Sequence, residues 1–212
     1  MKLTETSLTG FIEALSAGGP TPGGGSVAAL CASFSAALCT MVARLTVDKK
    51  KYRDQREIME ALISDTQPMT DRFLALAQAD MDAYDGVMAA MRLPRESEAQ
   101  QEARRTAIEA ATRGATRAPL ETLRLTARLA RLVELTVTRG NSNCITDAGT
   151  AVHLLGTAAR SAAWNVRINL TGLSDETFVT ACRRETDQLV SDMELCVTRL
   201  QNYVNGVLDS PS

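Results

Sequence analysis

The chain has few of the residues from which metal sites and nucleic-acid interfaces are built. Its 212 residues include a single histidine, and one Trp, three Tyr and four Phe supply little aromatic surface. A lone histidine excludes a His-cluster zinc or iron site, so we expect no metal. The net charge of −2 and the shortage of rings argue against a phosphate-backbone binder or a base-stacking platform. We therefore expect no nucleic-acid partner.

Cysteine is also used sparingly, and its spacing carries no motif. The five cysteines are odd in number, widely separated and include no CxxC pair. This pattern indicates neither a disulfide framework nor a thiolate metal site, and favours thiols in a reducing compartment. The first residues, MKLTETSLTGF, lack the apolar stretch of a secretory signal. The sequence thus predicts a cytoplasmic protein.

A long uncharged run covers residues 27–43, VAALCASFSAALCTMVA. It approaches the length of a membrane-spanning helix, but Ala, Ser, Cys and Thr dominate it where Leu, Ile and Phe would be expected. No aromatic belt or symmetric basic flank brackets it. The composition predicts a helix buried on all sides within a helical bundle, with no membrane partner.

Strand patterns are nearly absent, whereas helical spacing of apolar residues recurs along the whole chain. Ser7 is predicted to cap a first helix, and the Gly/Pro-rich segment 17–25 must end it. Ser26 is predicted to cap the apolar second helix, which ends near Val47. Further helices are predicted over 52–91 with a kink or break at Pro68, 96–117, 119–140, 146–169 and from 174 onward, the last with heptad-like spacing from Leu189 to Val207. The expected fold is all-α: one domain over residues 1–212, a multihelical bundle around a central apolar small-residue helix, and a dimer.

The segment Gly18 to Ser26 is the sharpest local motif. It fails as a P-loop because Gly25 stands where lysine must precede Ser26, and because no strand comes before it. Two interpretations remain open. Consecutive glycines at a helix start allow a ligand close to the backbone and favour an anion such as a carboxylate, or they form a tight turn without a ligand.

Two carboxylates are candidates for chemistry. Asp80 shares a helix face with Tyr84, and partial burial would raise its pKa and suit it to proton transfer, whereas a solvated acidic face is the plainer interpretation. Asp147 lies at a predicted helix start, where it either caps the helix or belongs to a site. The basic run Lys49 to Lys51 is either a solvated helix end or a binding site for a polyanionic tail.

Four segments, taken in order, resemble one known family. They are TPGGGS (21–26) opening a small-residue helix, KKKY (49–52), Asp80 to Tyr84 followed by Leu93-Pro94, and 140–149 running on to NVRINL (165–170). The pattern is similar to the cyclodeaminase/cyclohydrolase family: the folate-processing domain of formiminotransferase-cyclodeaminase and its free-standing methenyltetrahydrofolate cyclohydrolase members. The resemblance runs from Phe11 to Leu170, with a family-like helix beyond.

The resemblance implies an all-helical homodimer that binds a tetrahydrofolate one-carbon derivative beside the glycine segment. The implied activity is formimidoyltetrahydrofolate cyclodeaminase or methenyltetrahydrofolate cyclohydrolase, acting at the N5/N10 one-carbon bridge by acid/base catalysis without metal or cofactor. Asp80 and Asp147 are expected as the acid/base group and the cation-stabilising carboxylate, in either order. The expected substrate-binding residues are Pro22, Gly23, Gly24, Gly25, Ser26, Lys49, Lys50, Lys51, Asn141 and Asn165. A formiminotransferase is an expected partner.

Two other classes of function compete with this hypothesis. The stronger is a non-catalytic helical protein that binds folate or a partner. The weaker is a helical nucleotide phosphatase with carboxylates on Mg²⁺, because the acidic residues lack the paired E-x-x-E/D spacing of such a site. Incubation with folate derivatives separates the first class from an enzyme.

Overall fold

The computed structural model describes residues 1–210, which are 86% helical and contain no strand. The prediction of an all-α fold is therefore confirmed for this part of the chain. Its α-helices follow one another as α1 (Leu8–Ser16), α2 (Gly24–Val47), α3 (Arg56–Met91), α4 (Glu98–Ala115), α5 (Arg117–Arg139), α6 (Ile145–Asn169) and α7 (Glu176–Asp209). Short 3-10 segments at Lys50–Gln55 and Ser142–Cys144 lead into α3 and α6.

Helix α2 is the centre of the bundle, as its small residues predict. It packs against α3, α6 and α5, and its alanines Ala29, Ala32 and Ala36 are fully buried. Buried hydroxyls find acceptors: Ser35 Oγ, for example, donates to the Ala151 carbonyl at 2.8 Å. By length and composition alone α2 qualifies as a membrane-spanning helix, but 61% of its most apolar window is buried inside the protein.

The direction of α2 decides which parts of the chain meet. Its first turn contacts Asp80 of α3, and its last turns contact the loop before α6 through Thr46 and Asn141. Since Ser35 in the middle of α2 meets Ala151, α2 runs antiparallel to α6, and the pair Thr40–Thr66 shows the same for α3. The two ends of α2 therefore face different sets of residues.

Most of the predicted helix starts are correct because their caps are local. Ser7 Oγ accepts a hydrogen bond from the Gly10 N–H, and the Asp175 carboxylate accepts one from the Phe178 N–H at 2.9 Å. These bonds satisfy backbone donors that have no partner within a helix. Pro119 lies in the first turn of α5, as expected for a residue without an N–H.

Helix α3 continues through Pro68, so of the two predicted outcomes, a kink or a break, the break is wrong. The proline removes the donor that the carbonyl of Ser64 would use. Both residues are exposed, so water can satisfy that carbonyl. Because α3 is one helix of 36 residues, Asp80 lies on the same helix as the residues that pack against the middle of α2.

Helices α6 and α7 approach closely at two glycines of α6. A Cβ built on Gly149 would lie 3.1 Å from Val204, and one on Gly156 would lie 3.2 Å from Val197. The heptad predicted for α7 holds at Met193 and Leu200 but is wrong at its end, where Val204 is buried and Tyr203 is exposed. A straight helix with 3.6 residues per turn drifts away from a strict seven-residue repeat.

Candidate functional site

The first turn of α2 holds a carboxylate from α3. Ser26 Oγ donates a hydrogen bond to Asp80 Oδ2 at 3.0 Å, across 54 positions of sequence. Ser26 is fully buried, and Asp80 is partly buried. The structure thus places the acidic residue of the sequence analysis directly against the glycine segment.

Ser26 does not cap α2, which corrects the prediction. Helix α2 begins at Gly24 with Gly23 as its N-cap, and the N-cap residue supplies no side chain to bond the N–H groups of the first turn. Ser26 is the third residue of the helix, and its hydroxyl donates a hydrogen bond to Asp80. The sequence pattern led to a wrong prediction because a serine before an apolar run has the same pattern whether its hydrogen-bond partner is local or distant.

Gly25 is required by the carboxylate itself. A Cβ built on Gly25 would lie 2.3 Å from Asp80 Oδ1 and 2.6 Å from Asp80 Cγ, well inside the distance that atoms tolerate. The absence of a side chain at this position lets the carboxyl group lie on the backbone of α2. The glycine is therefore explained by a close approach within the protein.

The environment of Asp80 shifts its titration. Burial raises the pKa of the carboxyl above its ordinary value, and the hydroxyl and N–H of Ser26 act in the opposite direction by stabilising the carboxylate. No neighbouring charge contributes to this shift. A carboxylic acid held in this way is suited to exchange a proton nearer neutral pH than a solvated aspartate.

Other predicted residues border this end of α2. The amide nitrogen of Asn165, on α6, would lie 3.7 Å from a Cβ on Gly24, and it donates to the Ser161 carbonyl. Pro22 is buried in the loop before the helix, and Thr21 Oγ1 donates to Asp85 at 3.4 Å. We call Gly23, Gly24, Gly25, Ser26, Asp80 and Asn165 together the Asp80 cluster.

The C-terminal end of α2 carries a second group of predicted residues. Tyr52 follows the basic run, and its hydroxyl lies 2.9 Å from both the Oγ and the N–H of Ser142. The ammonium of Lys51 lies 5.4 Å from the centre of the Tyr52 ring. Hydrogen bonds from Ser142 lower the pKa of Tyr52. The tyrosine fastens the loop before α6 to the loop after α2, a role that sequence reasoning missed.

Asn141 serves the structure at this end. Its N–H donates to Thr46 Oγ1 at 2.9 Å, its side-chain amide donates to the Leu45 carbonyl, and its Oδ1 accepts from Asn143. All of these bonds are made within the protein, and the residue is buried. Of the two asparagines predicted for the substrate, this geometry favours Asn165.

Asp147 also lies at this end of α2, near Lys49. Asp147 is in the first turn of α6, where its charge suits the helix dipole, and it is half-buried. Burial and the carboxylate of Asp147 raise the pKa of the Cys144 thiol, while the ammonium of Lys49 lowers it, so both charges lie near this sulfur. We call Lys49, Lys50, Lys51, Tyr52 and Asp147 together the Asp147 cluster.

The two clusters are far apart within one chain. The 24 residues of α2 separate them by about 35 Å along the helix axis. Asp147 likewise precedes Asn165 by 18 positions on α6, or about 27 Å. The single site expected from the sequence is therefore divided in one protomer: Asp80, Ser26 and Asn165 come together, whereas Asp147 and the lysines do not join them. Within residues 1–210, no group of three His, Cys, Asp or Glu side chains is arranged to hold a metal ion.

Comparison with known proteins now identifies the fold's relatives. A family model described as formiminotransferase-cyclodeaminase matches residues 7–188, most of the chain. The chain belongs to this family. The resemblance predicted from the four motifs is thereby confirmed.

Individual members of the family cover the chain almost completely. Methenyltetrahydrofolate cyclohydrolase from Methylorubrum extorquens is 34% identical over 92% of this chain and 94% of its own length. The crystal structure of formiminotetrahydrofolate cyclodeaminase from Thermotoga maritima matches with a TM-score of 0.87 and 29% identity, over 97% of this chain and 98% of that one. Formimidoyltransferase-cyclodeaminase from Mus musculus is 29% identical, and the chain spans 35% of its length.

Proposed function

We propose that this protein is a folate one-carbon enzyme that acts at the N5/N10 bridge of tetrahydrofolate, as a formimidoyltetrahydrofolate cyclodeaminase or a methenyltetrahydrofolate cyclohydrolase. The relatives that match the chain over nearly its whole length carry these two names. The observation that carries the proposal is Asp80, a partly buried carboxyl with a raised pKa beside the glycine segment.

The two reactions share one cationic species, the 5,10-methenyl bridge, which is the product of cyclodeamination and the substrate of cyclohydrolysis. In cyclodeamination N10 attacks the formimino carbon, the bond from that carbon to the amino nitrogen breaks, and the amine leaves with an added proton. In cyclohydrolysis water adds to the methenyl carbon, the carbon–N5 bond breaks, and the 10-formyl product forms with release of a proton. Both need one group that exchanges a proton and one that tolerates a positive charge.

We assign proton exchange to Asp80 and stabilisation of the cationic bridge to Asp147. Asp80 has the raised pKa that a general acid requires. Asp147 lies near Lys49, beside the Cys144 thiol, at the other end of α2. Asn165 is the amide placed to contact the pterin ring, and Lys49 to Lys51 are assigned to the glutamyl carboxylates. No resident metal or cofactor is assigned to the site.

The separation of the two clusters leads us to propose a homodimer with shared sites. One face of α2 stays exposed along its length through Phe34, Met41 and Leu45, of which Phe34 is 51% exposed. On neighbouring α6, Trp164 and Ile168 are 60% and 65% exposed. Apolar side chains of this size on one face are typical of a surface that another chain covers.

A twofold dimer through this face would join the clusters. Phe34 lies near the midpoint of α2, so an antiparallel pairing of the two α2 helices places the start of one beside the end of the other. Each site would then combine the Asp80 cluster of one protomer with the Asp147 cluster of its partner. Such a dimer also buries the exposed apolar side chains of α2.

The activity is tested by incubating the purified protein with 5,10-methenyltetrahydrofolate and, separately, with 5-formiminotetrahydrofolate. The absorbance of the methenyl group should fall faster than in buffer in the first assay or rise faster in the second. Acceleration of neither reaction, with folate still bound in calorimetry, would show the competing non-catalytic binding protein.

The shared site is tested by mixing two inactive variants. Asp80→Asn and Asp147→Asn protomers are unfolded together, refolded and assayed beside each variant alone. Half of the dimers then contain one of each chain, and one of their two sites has both carboxylates. Activity should return to about a quarter of the wild-type value. No recovery, or a monomer in sedimentation, would overturn the shared site.

The wider context of the protein is also proposed here. The animal relatives are named formimidoyltransferase-cyclodeaminases and are about two and a half times the length of this chain. We propose that a separate formiminotransferase supplies the 5-formimino substrate in the same cytoplasm. Purified protein with such a transferase should convert the transferase product without a lag.

A further inference from the structure

The contacts of Asp80 distinguish its two carboxyl oxygens. Oδ2 accepts the hydrogen bond of Ser26 at 3.0 Å, whereas Oδ1 receives no side-chain donor among residues 1–210. The backbone N–H of Ser26 also stabilises the carboxylate. One oxygen thus accepts a hydrogen bond from a side chain, and the other does not.

We propose that Ser26 is a positioning residue that makes Asp80 Oδ1 the proton-exchanging atom of the site. The inference rests on the proposed function of Asp80 as general acid/base. It goes further by assigning the reacting oxygen and the residue that selects it.

Ser26 restricts where Asp80 can carry a proton. Its hydroxyl is fully buried and donates to Oδ2, so a proton on Oδ2 would compete with the serine proton for the space between the two oxygens. A proton on Oδ1 leaves that bond intact, because Oδ2 then acts as a carbonyl acceptor. Gly25 permits this arrangement by letting the carboxyl group lie against the helix backbone.

The surroundings contain no charge that would override the serine. Helix α2 contributes Gly24, Gly25 and Ser26 here, and α6 contributes the uncharged Asn165. On α3 itself, Tyr84 lies one turn further along and Asp82 is bonded to Gln78. Asp85 is paired with Thr21 of the glycine loop. The hydrogen bond of Ser26 is thus the main interaction that favours the ionised carboxylate, against the burial that opposes it.

The first test needs no activity. The titration of the Asp80 carboxyl carbon is followed by NMR in wild-type protein and in Ser26→Ala, with Asp80→Asn to assign the resonance. Loss of a hydrogen bond to the charged form should raise the pKa of Asp80 in Ser26→Ala. Ser26 lies in the first turn of α2, where alanine supports a helix, so the variant should fold.

The second test compares two serines of α2. Ser35→Ala is the matched control, since Ser35 is also fully buried and donates one hydrogen bond, to the Ala151 carbonyl. We expect Ser26→Ala to lower kcat roughly tenfold and to move the Asp80 limb of the pH profile to higher pH. Ser35→Ala should lose stability but keep the wild-type kcat and pH profile.

The outcomes separate this proposal from the proposed function. An unchanged pKa of Asp80 in Ser26→Ala, or an equal shift of the pH profile in both serine variants, overturns the role of Ser26. Wild-type protein that accelerates neither folate reaction overturns the proposed function. In that case the NMR titration still decides whether Ser26 controls the carboxyl group.

Discussion

The two ends of α2 are built in opposite ways. At the N-terminal end, glycines and one buried serine bring the backbone against Asp80, and the side chains are few and closely packed. At the C-terminal end, Tyr52 joins the segments after α2 and before α6, Asn141 bonds the last turn of α2, and the three lysines are exposed. One end is organised around a partly buried carboxyl group, and the other presents charge at the surface.

This difference suggests a division of labour between proton transfer and recognition. Proton exchange near neutral pH requires removal of water from an ionisable group, which only a packed environment provides. Recognition of a charged substrate depends on exposed cations that attract it over a distance. Substitutions at the Asp80 cluster should therefore change kcat, while those at the Asp147 cluster should affect substrate and cation binding as well.

Asp80→Asn should have the largest effect. The amide keeps the shape of the side chain and an acceptor for Ser26, but it cannot exchange a proton. We expect kcat to fall by about two to four orders of magnitude, with the protein still folded. The rate of methenyl absorbance change under saturating folate measures this. A variant that keeps more than half of the wild-type kcat would remove Asp80 from the chemistry.

Asp147→Asn should have the next largest effect. If the carboxylate stabilises the cationic bridge, loss of its charge should lower turnover by one to three orders of magnitude, or roughly 1.4 to 4 kcal/mol. A residue that serves only the dipole of α6 would cost little stability and leave catalysis intact. Steady-state kinetics together with thermal melting separate the two roles.

Gly25→Ala and Gly24→Ala compare neighbouring positions at the start of α2. A methyl group at Gly25 overlaps the carboxyl group of Asp80, so Asp80 must move, and we expect about a hundredfold loss of kcat. A methyl group at Gly24 meets only Asn165 at an ordinary distance, so stability should be retained, with folate affinity reduced if the substrate lies there. Calorimetry and circular dichroism on both variants measure this; equal kcat values would contradict it.

The smallest effect concerns stability and its dependence on pH. Because burial raises the pKa of Asp80 in the folded protein, its contribution to stability is full below the unfolded pKa and is lost as pH rises through the folded value. Asp80→Asn should therefore melt at a higher temperature than wild type at pH 7, and this advantage should vanish in acid. A difference in Tm that does not change with pH would contradict the raised pKa.

The sequence predicted those features whose partners are close along the chain. Ser7 and Asp175 cap helices through residues three positions away, and the uncharged small-residue composition of α2 predicts that it is the core helix. The motifs also identified the family. The role of Ser26 was misread because its partner Asp80 is 54 positions away in sequence. The role of Asn141 was misread because its partner Thr46 is 95 positions away.

The separation of the site into two clusters could also not be predicted from the spacing of residues in the sequence. Asp80 and Asp147 belong to the same family pattern. Because of the length and direction of α2, however, they lie at opposite ends of that helix within one chain. Motif order carries no information on whether two segments meet within a protomer or across two. The one available sign is the exposed stripe of Phe34, Met41 and Leu45, which is obscured in a helix that is apolar on every side.

The length of α2 also restricts which insertions and deletions this fold can accept. Removing one residue between Ser26 and Thr46 would shorten the helix by about 1.5 Å and turn its far end by about 100°. Ser26 could then meet Asp80, or Thr46 could meet Asn141, but not both. The loop before α2 is under no such restriction, since Gly18 adopts a φ of 72° with nothing within 4 Å of its missing side chain. Length differences among relatives should therefore fall in that loop, while α2 keeps a constant number of residues.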